Sequence, residues 1–186
     1  YYCPTVEDAE KLAFSFLKDG QTVSFGGSMT LEETGMLTAL RHDPSMHLID
    51  RSTAKTPDET KKMYHEALSS DVYFMSTNAI TTGGELVNID GTGNRVAALI
   101  YGPETVVILA GMNKIAANVD EALSRVHNVA TAQNCIRLDK KTPCAITGAC
   151  ADCLSPDCIC NQVVITRRSG IKGRIKVLLI GESFGY

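Results

Sequence analysis

Apolar positions in the first part of the chain alternate between two spacings. Ala9, Leu12, Ala13, Phe16 and Leu17 recur at helical intervals, and Thr5, with Asp8 three places on, predicts a capped helix over 5–18. Short β-prone runs at 1–3, 21–25, 46–50 and 71–76 read as strands, the first stopped by Pro4. Thr30 and Glu33 form a capping-box pattern for a helix over 30–40. Thr56-Pro57-Asp58-Glu59 supplies a cap, a first-turn proline and a box glutamate for a helix over 57–69. Strand and helix thus alternate with short links, which predicts a mostly parallel α/β sheet.

The middle of the chain changes character. Runs at 85–89 and 96–101 read as two strands joined through Asp90-Gly91-Thr92-Gly93-Asn94 as a hairpin connection. Residues 105–109 are uniformly apolar, the signature of a strand covered on both faces. A helical stretch over 117–135 follows, then a loop over 142–161, then β-prone runs at 162–166 and 174–180. No repeat or low-complexity segment interrupts the pattern, so a single domain over 1–186 is expected.

Composition narrows the function classes. Hydrophobic content of 44% with 21% charge suits a soluble globular chain. A net charge of −3 offers no electrostatic attraction to nucleic acid or an anionic membrane. No apolar run approaches the ~20 residues of a membrane helix, and no export signal opens the sequence, so a cytoplasmic location is expected. In that setting seven cysteines, five of them crowded between Cys144 and Cys160, point to reduced thiols or a metal rather than disulfides.

Candidate chemistry gathers at turns that end strands. Gly26-Gly27-Ser28-Met29-Thr30 couples a strand to a helix, where backbone amides, Ser28 and Thr30 suit a phosphate or carboxylate. Asn78, Thr82-Gly83-Gly84-Glu85 and Lys114 occupy other strand ends, and in open α/β sheets such ends converge on a ligand crevice. Lys114 is a candidate anion partner, and Glu85 a candidate base or nucleophile if burial raises its basicity. His42, His47, His65 and His127 are scattered without metal-ligand spacing. Cys150 and Cys153 form a C-x-x-C pair, with Cys144, Cys158 or Cys160 available to complete a zinc or iron–sulfur site; free or redox-active thiols are the alternative.

Three stretches carry a family resemblance: Gly26-Gly27-Ser28-Met29-Thr30-Leu31-Glu32-Glu33-Thr34-Gly35, the 81–88 segment, and Thr142-Pro143-Cys144 through Ile159-Cys160-Asn161. Together they resemble the lactate-utilisation (LUD) domain family over nearly the whole chain, less an N-terminal helix that members usually carry. The resemblance implies a Rossmann-like fold of the ribose-5-phosphate isomerase and CoA-transferase type, a mostly parallel sheet flanked by helices with a small β-rich insertion. It places 26–30 where the isomerases hold phosphate, likens Gly83-Gly84-Glu85 to the glutamate of CoA transferases, and gives Cys144, Cys150, Cys153 and Cys160 as the metal ligands. It further implies lactate or organic-acid utilisation, iron–sulfur partner proteins and a homodimer. The second expectation, from another class, is a metal- or redox-responsive protein built on the cysteine segment.

Overall fold

The computed structural model describes residues 1–186, which divide into two compact units. The first comprises 1–76, 97–113 and 169–185; the second comprises 77–96, 114–168 and Tyr186.

The first unit is built on a six-stranded, wholly parallel sheet. Its strands are β1 (Tyr2–Cys3), β2 (Thr22–Phe25), β3 (His47–Ile49), β4 (Val72–Met75), β7 (Thr105–Gly111) and β10 (Ile175–Ile180). They lie in the order β1-β10-β7-β4-β2-β3. The centre is β7, whose residues from Val106 to Ala110 are fully buried, as the unbroken apolar run requires. Val23, Phe25, Phe74, Val107, Leu109, Leu178 and Ile180 pack with Ala9 and Ala13 of α1 (Val6–Phe14), Leu31 of α2 (Met29–Glu33), and Met36, Leu37 and Leu40 of α3 (Met36–His42). Thr56 caps α4 (Pro57–Ala67) by accepting from the Glu59 amide, as its sequence pattern predicts.

The expected helix over 30–40 is broken in two. Gly35 adopts φ +74, a left-handed conformation glycine takes without penalty, and it separates α2 from α3. The cap of α2 is Ser28, which accepts from the Leu31 amide, rather than Thr30.

A second correction falls on 96–101. Instead of a strand, α5 (Asn94–Ile100) occupies this stretch. Val96, Ala98 and Leu99 are buried, a short apolar run that periodicity alone assigns equally to helix or strand. The preceding glycines form no hairpin. The Asp90 carboxylate accepts from the Thr92 and Gly93 amides and turns the chain into the helix. Beyond α5, the buried Arg174 donates from Nε to Pro103 O (3.0 Å), from Nη1 to Leu99 O (2.7 Å) and from Nη2 to Ala98 O (2.8 Å).

The second unit holds a four-stranded sheet in the order β8-β5-β6-β9. It contains β5 (Ala79–Thr81), β6 (Leu86–Asp90), β8 (Ile115–Ala116) and β9 (Gln162–Thr166). This is the β-rich insertion expected from the resemblance. Ala79, Val87 and Ile89 pack against Ala122, Val126 and Ala130 on the helical stretch. That stretch consists of α6 (Val119–Arg125), a π-helical segment (Val126–Thr131) and α7 (Ala132–Arg137). Within the expected loop over 142–161 lies α8 (Pro143–Thr147), which begins at a first-turn proline and ends at the left-handed Gly148. No helix is long and apolar enough to cross a membrane.

Candidate functional site

At the 26–30 turn the backbone is partly committed. The Gly26 amide donates to Phe74 O at 2.9 Å, continuing the sheet. Thr30 is fully buried, and its hydroxyl donates to Phe184 O (3.2 Å) and accepts from Ser76 Oγ (3.2 Å). Its position is that of a packing residue. Gly27 leaves room for the Arg51 guanidinium, the movable tip of a long side chain, to lie against the turn where a Cβ would meet it. Arg51 lies 5.4 Å over the Tyr64 ring and donates to the Tyr64 hydroxyl at 3.0 Å. This cation beside the turn was missed in the sequence, where Arg51 follows a strand with nothing to set it apart.

The other strand-end residues belong to the second unit. Gly83 and Gly84 form the tight β5–β6 connection, with the Gly84 amide donating to Thr81 O. Thr82 Oγ1 donates to Ala117 O at 2.8 Å. The Glu85 amide donates to Thr81 Oγ1 at 3.0 Å, and the Thr81 hydroxyl donates back to the Glu85 carboxylate. That hydroxyl bond, with a backbone bond behind it, holds the Glu85 carboxyl below its usual range. Desolvation acts in the opposite direction but is outweighed, so the net shift at Glu85 is downward, away from the raised basicity expected of a base.

Asn78 is a structural hub. Its Oδ1 accepts from Arg95 Nη2 (2.9 Å) and the Ile89 amide (3.0 Å), and its carbonyl accepts from Arg125 Nη1 (2.7 Å). Arg95 also reaches Asn88 Oδ1 (2.6 Å) and pairs with Asp90 at 3.2 Å. Lys114 is buried and donates to Thr77 O at 3.3 Å.

The cysteines present a clearer grouping. Every cysteine except Cys3 lines one cavity of about 450 Å³ in the second unit. His127, Thr131 and Cys135 project into it at intervals of four residues from the π-helical segment and α7. The histidine and Cys135 were missed because 15 or more residues separate them from Cys150. Their mutual spacing of eight, with Thr131 midway, on an expected helix was the available signal.

The sulfurs are arranged largely as pairs. Cys135 is hydrogen-bonded to Cys144, and its thiol is pushed up by burial, with Cys144 and Cys158 adding to the rise. Cys158 Sγ accepts the Cys160 amide at 3.3 Å. Burial pushes the Cys160 thiol up to about 12, with Cys158 and Cys135 reinforcing it against a hydrogen bond from Thr131. Cys150 Sγ meets His127 Nδ1 at 3.6 Å.

The LUD-domain family model matches residues 1–180. The chain belongs to the LUD-domain family. Membership of this LUD-domain chain bears out the resemblance seen in its sequence. A comparison with curated proteins found no match. Among solved structures, a DUF162 family protein from Deinococcus radiodurans is 12% identical with a TM-score of 0.37, covering 95% of this chain and 94% of that one. eIF2B delta from Chaetomium thermophilum is 18% identical with a TM-score of 0.42, covering 64% of this chain and 50% of that one. Ribose 5 phosphate isomerase A from Neisseria gonorrhoeae is 16% identical with a TM-score of 0.37, covering 60% and 52%. The LUD-domain chain spans about half the length of the latter two.

Soft thiolates suit Zn²⁺ or an iron–sulfur cluster by donor chemistry. The arrangement is not a coordination shell, however: no three Cys, His, Asp or Glu side chains of the LUD-domain chain converge closely enough to hold one metal ion. Adjacent pairs of thiols instead suit the two-electron interconversion of dithiol and disulfide.

Proposed function

We propose that this LUD-domain protein serves lactate or related organic-acid utilisation as a redox-responsive thiol protein, with the cysteine-lined cavity as its working centre. The supporting observation is that six thiols from separate segments meet around one cavity and four of them stand in two pairs, Cys135 with Cys144 and Cys158 with Cys160. A cavity of this size also falls within the ~300–1,000 Å³ typical of small-molecule sites. The competing outcome is a zinc or iron–sulfur centre on Cys144, Cys150, Cys153 and Cys160, which would require thiols from different pairs to move into a common shell. Iron and zinc analysis with a visible spectrum, on anaerobically purified protein, separates the two. The thiol reading expects metal well below one per chain and a featureless visible spectrum. A stoichiometric metal centre would overturn it.

A second reading rests on Arg51. A small phosphate- or carboxylate-bearing ligand at the 26–30 turn would meet the backbone at Gly27 and Ser28 beneath the Arg51 guanidinium, which supplies the counter-charge. Thermal stabilisation by inorganic phosphate, sugar phosphates and lactate tests it. Arg51→Gln is expected to abolish any such shift. Unchanged shifts in both Arg51→Gln and Ser28→Ala would rule the turn out.

A further inference from the structure

Three of the four edge strands in the two sheets are short. β1 and β8 have two residues each and β3 has three, whereas β9 has five. β9 pairs with β6 along one side and carries no strand on the other. Free sheet edges are ordinarily blunted by brevity, a proline, a bulge or a charged side chain. Gln162–Thr166 contains no charge, no proline and no glycine, and its five residues pair with β6 in unbroken register. Val163 and Ile165 share one face of the strand and are 52% and 45% exposed. Apolar side chains beside a row of unpaired backbone groups are what an added strand recognises.

We propose that β9 is where two copies of this chain associate, the two β9 strands pairing antiparallel about a twofold axis at Val164. The two four-stranded sheets then form one continuous sheet. No cysteine lies in the paired strands, so the interface stands or falls apart from the thiol reading. A second copy is the occupant that fits, because the strand is its own complement. In this register Val163 of each copy lies opposite Ile165 of the other, giving two apolar cross-strand pairs. Gln162 lies opposite Thr166, and Val164 opposite itself. Every outward amide and carbonyl of the five residues finds a partner. Just past the strand ends, Arg167 falls opposite Asn161 and Arg168 opposite Cys160, so the arginines of the two copies never oppose one another. An in-register parallel pairing would set Arg167 and Arg168 against their own counterparts, a like-charge cost that selects the antiparallel arrangement.

The test uses the full chain in dithiothreitol, which excludes cross-chain disulfides. Sedimentation velocity over a concentration series gives the assembly state, and far-UV circular dichroism confirms folding. Wild type is expected to pass from monomer to dimer as concentration rises and to stop there, since a twofold pairing closes on itself. Positions 163 and 165 face each other across the axis, so paired substitutions at these exposed sites read the register. Val163→Glu with Ile165→Glu sets like charges opposite one another twice and is expected to give a folded monomer at every concentration. Val163→Glu with Ile165→Lys sets opposite charges there and is expected to restore the dimer. A wild type that stays monomeric would leave the edge to a foreign strand and overturn the interface, as would assembly beyond the dimer. A dimer that survives in the first variant would place the contact elsewhere and overturn it too. A second variant as monomeric as the first would overturn the antiparallel register.

Discussion

His127 Nδ1 and Cys150 Sγ lie 3.6 Å apart although 23 positions separate them in the chain. The π-helical segment Val126–Thr131 carries the histidine, and Asn128 on the same segment ties down the Cys150 amide. Such bulges within helices recur at functional sites, because the extra residue per turn redirects side chains. Asn128→Ala removes the bond to the Cys150 amide and the one Asn128 Nδ2 donates to Ser124 O, and is expected to cost about 1–2 kcal/mol of stability. Its larger effect is expected on Cys150, whose alkylation by iodoacetamide should slow relative to the other thiols as the sulfur drifts from His127.

Burial of Cys135 and Cys160 has a consequence at alkaline pH. Both thiols are held above their ordinary value, Cys160 at about 12. A group whose folded value is raised stabilises the fold below its unfolded value and loses that contribution as pH rises toward the folded one. Stability measured by urea unfolding is therefore expected to decline from about pH 9 upward. Cys160→Ala is expected to flatten that decline. An unchanged slope in the variant would show that other groups cause it.

Arg174 is 7% exposed and satisfies three carbonyls at and beyond the end of α5. Burial lowers its pKa, and no charge of opposite sign accompanies it in those three bonds. Arg174→Met keeps much of the packing but strips the acceptors of their donors, at roughly 1–3 kcal/mol for each group left unsatisfied. The expected loss in unfolding free energy is on the order of 3 kcal/mol, read from the urea midpoint, without any change in Cys150 reactivity.

Much of the fold was legible because its strongest signals are local. The apolar run at 105–109 lies within β7, and Thr56-Pro57 opens α4 at the expected residue. Errors fell where local chemistry admits two answers. Residues 96–101 carry a short apolar run that serves either spacing, and the burial of Ala98 and Leu99 in a helix decided it. Gly35 looked like an interior helix residue until its left-handed backbone made it a break.

The candidate site was legible only in part. Five cysteines between Cys144 and Cys160 announced a thiol centre, but which sulfurs face one another depends on tertiary packing. Cys135 pairs with Cys144 from a different helix, and His127 enters from the π-helical segment. Glu85 was read from its glycine neighbours, which say nothing of the Thr81 hydroxyl that holds its carboxyl low.

The most direct test of the cysteine cavity as a redox centre is a free-thiol count on the native, metal-free chain before and after mild treatment with a disulfide oxidant. The account expects the seven thiols to fall by one pair and to be restored by dithiothreitol. A count that stays at seven under oxidant concentrations that convert a control dithiol would contradict it.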